Sequence, residues 1–286
     1  MPCFHPISCW QSPSGKMFFN LANIDVPRSA LTALKVPCGR CIGCRLERAR
    51  KWAIRCVHEA QTCSESCFIT LTYAEAPDSL RLDDLQKFFK RLRKAYPGKK
   101  IRYLACGEYG ENFGRPHYHA VLFGIDFLRE TVLRKVDTDT GVKTVRVSEK
   151  LEQIWQHGQT HVGAVTFDSC AYVASYCLKK ITGPRAEAHY AGRKPEFITM
   201  SRRPGLGFEW YSKYGQQARD CDFIYANDSR CKPPRYYDGL TDKFDHALFV
   251  SIKKQRTRAL KDIPREELLR LEKYHEVLQA KHQKRL

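Results

Sequence analysis

A chain of 286 residues, 43% of them hydrophobic, holds enough apolar side chains for one large core or two modest ones. Its 49 Lys and Arg against 31 Asp and Glu give a net charge of +18, so an extended polyanion, nucleic acid foremost, is expected as partner in place of an acidic small molecule. No apolar run nears the ~18 residues of a membrane span and Met1 to Trp10 lacks a signal-like pattern, so a soluble intracellular protein is expected, its 13 cysteines serving as thiols and metal ligands.

Residues 1–47 show little periodicity but contain Cys3, Cys9, Cys38, Cys41 and Cys44, which predicts a loop-rich arm organised by a bound metal. In PCGRCIGC the sulfurs of Cys38, Cys41 and Cys44 recur at intervals that let them converge on one ion. Structural zinc takes four ligands; Cys3 is the first choice for the fourth, with Cys9, His5 and His58 behind it. The CxxCxxC spacing also matches one iron–sulfur arrangement, and unligated thiols are the third alternative. Cys56, Cys106 and Cys177 are expected to be small buried hydrophobes.

Residues 48–214 read as the main domain. Helices are predicted at Arg48 to Thr62 and at Leu82 to Ala95, where Leu85, Phe88, Phe89 and Leu92 recur at helical spacing among cationic residues. Strands are predicted at Cys67 to Tyr73, Ile101 to Cys106 and His117 to Phe123. A further strand near Val162 to Phe167 precedes a helix from Asp168 to Ile181, with Asp168 or Ser169 as its N-cap. The order predicts an α+β fold, helices packed on a mainly antiparallel sheet. Residues 215–286 form a C-terminal extension that opens on CKPPRYYDG and ends in a charged, solvated helix over Pro264 to Lys284.

The segment CGEYGENFGRPHYHAVLFG carries the clearest chemistry. On a strand His117 and His119 leave one face while Tyr118 and Ala120 leave the other, so two imidazoles can share an ion, with Glu108 across a glycine-containing hairpin as an oxygen ligand. This set suits Mn²⁺ or Mg²⁺ at a phosphoryl-transfer site; zinc and iron match the ligand types too, and histidine pairs with no ligand role are common. In DSCAYVASYCLKKI, Tyr172 and Tyr176 are neighbours on one helical face, with Lys179 and Lys180 following. A tyrosine, with a free pKa of ~10, needs a cation or base beside it to attack phosphorus; the alternative is that both rings face the core. SRRPGLGFEWY, Ser201 to Tyr211, reads either as a basic aromatic loop for phosphates and bases or as a turn leading into a helix.

The apolar strand ending in Thr-Leu-Thr-Tyr, then His117-Tyr118-His119, then Tyr172 to Lys179 resemble, in content and order, the three motifs of the HUH endonucleases: rolling-circle initiators, relaxases and related transposases. PCGRCIGCR, GEYGENFGRPHYH and MSRRPGLG make the chain more similar to the replication initiators of gokushoviruses, small single-stranded-DNA phages of the microvirus family. The resemblance implies a ferredoxin-like or RRM-like central sheet, a catalytic Mg²⁺ or Mn²⁺ on Glu108, His117 and His119, and Tyr172 and Tyr176 as nucleophiles forming a 5′-phosphotyrosine. Ser175 stands where such initiators often carry Lys, so Lys179 takes the assisting role. The implied partners are single-stranded DNA at a viral origin and the host helicase and polymerase, in the cytoplasm of a bacterial host. A transposase or relaxase, and a non-catalytic zinc-stabilised nucleic-acid-binding protein, are the competing functions; the absence of a nucleotide-binding glycine loop argues against a helicase-bearing relaxase.

Overall fold

Period-two runs such as Ser66–Thr72 alternate with amphipathic helical runs such as Leu82–Ala95, and these two patterns build most of the fold. The computed structural model describes residues 2–22, 25–110, 114–138, 141–176, 185–226, 229–259 and 262–283. In chain order its elements are β1 (Ile7–Gln11), β2 (Met17–Phe18), β3 (Thr32–Val36), α1 (Ile42–Gln61), β4 (Ser66–Thr72), α2 (Leu82–Ala95), β5 (Arg102–Tyr109) and β6 (Pro116–Phe123). There follow β7 (Val132–Thr138), β8 (Gly141–Val147), α3 (Glu149–Trp155), β9 (Thr160–Gly163), α4 (Phe167–Tyr176), α5 (Arg185–Tyr190) and β10 (Phe197–Met200). The chain closes with α6 (Phe208–Tyr214), α7 (Gln216–Cys221), β11 (Ile224–Ala226), β12 (Ser229–Cys231), α8 (Arg235–Phe244), α9 (His246–Arg258) and α10 (Arg265–Gln283). Two compact units result, Met1–Arg48 with Arg256–Leu286, and Ala49–Gln255. Among the described residues no helix is long and apolar enough to cross a membrane.

The larger unit is α+β, built on an antiparallel five-stranded sheet in the order β10-β5-β6-β4-β9. β4 and β5 run parallel with β6 between them, so β4, α2 and β5 form a split crossover. Strand alternation divides the sheet into two faces. Cys67, Ile69, Leu71, Ala105, Tyr118, Ala120 and Leu122 pack against Leu85, Phe88 and Leu92 of α2 and Leu151 and Trp155 of α3. The opposite face sets Leu104, Cys106, Val121 and Phe123 against Ala53 and Cys56 of α1 and Cys170 and Val173 of α4. Because β5 and β6 are covered on both sides, their side chains are buried nearly without interruption.

Several elements depart from the sequence expectations. The N-terminal residues expected to be loop-rich contain a three-stranded antiparallel sheet, β2-β1-β3, whose short strands carry too little alternation to stand out. β9 ends at Gly163 and α4 begins at Phe167, so the helix is capped by Thr166 and not by Asp168 or Ser169. Thr166 and Ser169 cap each other, each backbone N–H donating to the other's hydroxyl at 2.8 and 3.0 Å, a capping box with Ser in the usual Glu position. The part of this helix predicted beyond Tyr176 lies outside the described residues. The ribbon β7-β8 and the edge strand β10 were not foreseen. The terminal helix is exposed along most of its length, as expected, but within the smaller unit its Glu272 accepts from His5 at 2.6 Å and its His275 stacks on Phe4, while Asp262 just before it pairs with Lys35 at 3.0 Å.

A third cluster in the larger unit joins Ile54 of α1 to Tyr211, Ala218, Ile224, Tyr237 and Leu240. Beside it His58, 2% exposed, hydrogen-bonds the Tyr237 hydroxyl at 2.8 Å and stacks on Trp210. Burial holds its imidazole down to about 4, below the ~6.5 of an unfolded chain. The unfolded chain therefore takes up the proton first, and the stability from neutral His58 is complete above about pH 6.5 and lost as pH falls toward 4. Urea melts are expected to show a loss of about 2 kcal/mol between pH 7 and pH 5 from this group, and His58→Gln to flatten that slope. An unchanged slope in the variant removes His58 as the cause.

Candidate active site

The geometry of the site follows from how β6 alternates. Tyr118 points to the α2 side, fully buried, and its hydroxyl is caught between the backbone N–H and C=O of Arg81, each at 2.9 Å. That anchor holds the strand from behind and commits His117 and His119 to the opposite face. Glu108 stands across from His117 in the β5-β6 register. Its Oε1 accepts from Nε2 of His117 at 2.6 Å and from Nε2 of His119 at 2.9 Å. The outer nitrogens are engaged as well: His117 Nδ1 lies 3.1 Å from the Arg115 carbonyl oxygen, and His119 Nδ1 lies 2.9 Å from Oγ1 of Thr70. Sequence reasoning gave no role to Arg115 or Thr70, since both contacts depend on a register that spacing alone does not disclose.

Glu108 and His119 are buried, at 3% and 5% exposure, while His117 is half-buried at the mouth of the site. Burial opposes ionisation of Glu108, but hydrogen bonds from the two imidazoles outweigh it and hold the carboxyl below its ordinary value. For His119 burial dominates over the pull of Glu108 and lowers its pKa, keeping the ring neutral and available as a ligand. The three ligand atoms lie within 4.8 Å of one another. One carboxylate oxygen and two imidazole nitrogens on adjacent strands fit a divalent cation with positions left open.

Helix α4 brings the tyrosine. Cys170 and Val173 turn into the core, and Tyr172, 36% exposed, sets its ring edge-on to His119 with centroids 5.1 Å apart and to Phe68 at 6.4 Å. Tyr172 thus stands directly beside the Glu-His-His group. Tyr176 closes α4, but its side chain, like Cys177 and Lys179, lies outside the described residues. Ser201 to Tyr211 forms a turn leading into α6, pinned from below: Arg55 donates to the Leu206 carbonyl at 3.0 Å, Arg102 to the Pro204 carbonyl at 2.7 Å, and the Gly207 N–H donates to Glu59 at 2.6 Å. Arg202 and Arg203 remain exposed on it.

In the smaller unit Cys3, Cys38, Cys41 and Cys44 come together with all four sulfurs within 4.8 Å of one another, and the Cys3 and Cys41 sulfurs 3.9 Å apart. Tetrahedral zinc–thiolate bonds of ~2.3 Å would set sulfurs ~3.8 Å apart, so the group fits a single tetrahedral ion. The other considered ligands are engaged elsewhere: Cys9 donates to the Leu34 carbonyl, His5 pairs with Glu272 and His58 with Tyr237. Gly43 explains how Cys3 reaches the group, because a Cβ there would lie 2.4 Å from the Pro2 carbonyl oxygen and 2.9 Å from the Phe4 ring. Burial opposes ionisation of Cys38, but amide N–H groups of Cys41 and Arg40 outweigh it and bring the thiol down to about 7. Cys56 and Cys106 are fully buried, as small hydrophobes should be.

Comparison with known proteins supplies the chain's relatives. The chain is 33% identical over 248 residues to replication-associated protein VP4 of Bdellovibrio phage phiMH2K, covering 83% of this chain and 76% of that protein. It belongs to the replication-associated proteins of microviruses. A family model described as replication-associated protein ORF2/G2P matches residues 66–181, the stretch that holds Thr70, Glu108, His117, His119, Tyr172, Tyr176 and Lys179. Replication-associated protein ORF2 of Spiroplasma virus 4 is 27% identical over 285 residues, 91% of this chain and 87% of its own length. Replication-associated protein ORF4 of Chlamydia phage 1 is 31% identical over 220 residues, 73% of this chain and 54% of its own length. No solved structure matches the chain.

Proposed function

We propose that this family member is a rolling-circle replication initiator that nicks single-stranded DNA at a viral origin and rejoins it through a 5′-phosphotyrosine. The observation that carries the proposal is Tyr172 standing against the Glu108, His117 and His119 group. A divalent cation, Mg²⁺ or Mn²⁺, held by those three side chains would supply polarisation of the scissile phosphate. The phenol oxygen of Tyr172 or Tyr176 attacks phosphorus, the bond from phosphorus to the 3′ oxygen breaks, and the departing strand end takes a proton to leave a 3′-OH for a host polymerase. The 5′-phosphate stays on the tyrosine. One phosphodiester replaces another, so attack by a 3′-OH reverses the step and rejoins the strand. Two tyrosines let a second cut occur while the first end is still held, with Lys179 assigned on family resemblance to assist Tyr176.

The strand order β5-β6-β4-β9, with a helix after β4 and another before β9, supports a ferredoxin-like reading of the sheet with β10 added at its edge. Zinc is the proposed ion of the four cysteines, and the host helicase a proposed partner in the host cytoplasm. The net charge of +18 supports phosphate contacts by Lys and Arg as the main source of DNA affinity. The deciding experiment incubates the chain with labelled origin-strand DNA and Mn²⁺ and resolves the products on a denaturing gel. A covalent protein–DNA adduct is expected, abolished by EDTA and by joint His117→Ala and His119→Ala, with DNA affinity retained within ~10-fold. DNA binding without any adduct at all Mn²⁺ concentrations favours the non-catalytic binder.

A further inference from the structure

We propose that Thr70 is a positioning residue that lets the His119 imidazole exchange tautomers when a cation enters, an inference that rests on the metal-site reading above. The register of β4 against β6 sets Thr70 across from His119 and Thr72 across from His117, with all four side chains on the Glu108 face. The two threonines nevertheless do different things. Thr72 gives its hydroxyl to the Gln159 carbonyl at 2.9 Å, and the outer nitrogen of His117 faces the Arg115 carbonyl instead. Thr70 keeps its hydroxyl on His119 Nδ1, at 2.9 Å.

A carbonyl can only accept, so the Arg115 oxygen can partner His117 Nδ1 only when that nitrogen carries the proton, the state that a ligand at Nε2 requires. A hydroxyl donates as well as accepts. With no cation present, Nε2–H of His119 donates to Glu108 Oε1, and Thr70 donates to the bare Nδ1. When Nε2 becomes a ligand its proton must leave, Nδ1 carries the hydrogen, and Thr70 turns to accept it. The contact persists through both states, so the buried ring is never left with an unmatched nitrogen. Valine keeps the branched shape that a strand favours but can serve neither state.

The test measures Mn²⁺ uptake by the full chain without DNA, from the magnetic resonance signal of the free ion. His119→Ala is compared with wild type first, and equal uptake by the two overturns the metal-site reading itself. Given that difference, Thr70→Val is expected to weaken Mn²⁺ binding about 10- to 100-fold, as loss of such outer partners does. Thr70→Ser, which restores the hydroxyl, and Thr72→Val should both stay within ~3-fold of wild type. Wild-type affinity in Thr70→Val overturns the role of Thr70. Should that variant not fold, nitrogen-15 spectra of histidine-labelled wild type decide. His119 is expected to pass from Nε2–H to Nδ1–H on addition of Mg²⁺, and an unchanged tautomer overturns the proposal.

Discussion

Replacing both Tyr172 and Tyr176 by Phe is expected to abolish covalent attachment to DNA, a loss of at least ~10³-fold in single-turnover nicking, on the scale of removing a nucleophile. The substitution keeps the ring of Tyr172 that packs edge-on against His119 and Phe68 and deletes only the oxygen. Its effect on stability should therefore stay below about 1.5 kcal/mol, separating chemistry from folding. Each single variant should retain single-turnover nicking through the remaining tyrosine, while repeated cycles of nicking and rejoining need both. Mass spectrometry of the digested adduct identifies the attached peptide. Full adduct formation by the double variant would reject the nucleophile assignment, and complete loss in one single variant would show that one tyrosine acts alone.

Cys41→Ser should have the largest effect on stability, and a local one. Its sulfur is 3.9 Å from that of Cys3 and accepts from the Phe4 N–H, so it ties the N-terminal segment to the start of α1. A structural ion contributes its binding free energy to folding, ~10–16 kcal/mol for zinc in small peptides, and one missing ligand of four should forfeit at least about 3 kcal/mol. Hydrogen exchange should rise across Met1–Arg48 and Arg256–Leu286 and remain slow in Ala49–Gln255. Cys221→Ser, at an exposed position, serves as the control. Elemental analysis should find about one zinc per chain in wild type; intact protein with neither zinc nor iron ends the proposal.

Much of the Glu-His-His group was legible because strand alternation is strict: once His117 and His119 are on a strand they must share a face. The helix α2 was equally clear, since Leu85, Phe88, Phe89 and Leu92 repeat at helical spacing along a polar background. What spacing could not disclose was register. The contact from Thr70 to His119 depends on how β4 slides against β6, and a slip of one residue would have put Thr70 on the other face. Cys3 was foreseen as the fourth sulfur, although its approach depends on the absent Cβ of Gly43, 40 residues away along the chain. The sheet of the N-terminal segment was hidden for a different reason: five- and two-residue strands offer too few alternations to distinguish from loop. Thr166 does not stand out as the cap because the residue in the usual Glu position is Ser169, itself a cap-type residue.

The strand that carries both histidines is paired along its length, to β5 on one side and to β4 on the other. Neither His117 nor His119 can therefore be released by fraying of an edge; the site comes apart only when the middle of the sheet does. If the proposed initiator holds a DNA end as an ester while a whole circle is copied, this matters in time more than in affinity. A site on a loop would open and close many times during that interval, and each opening would leave the bound end with no machinery to rejoin it. Built into the sheet interior, the Glu108, His117 and His119 group has the lifetime of the folded domain, so the proposed covalent intermediate would remain redeemable for as long as the protein exists.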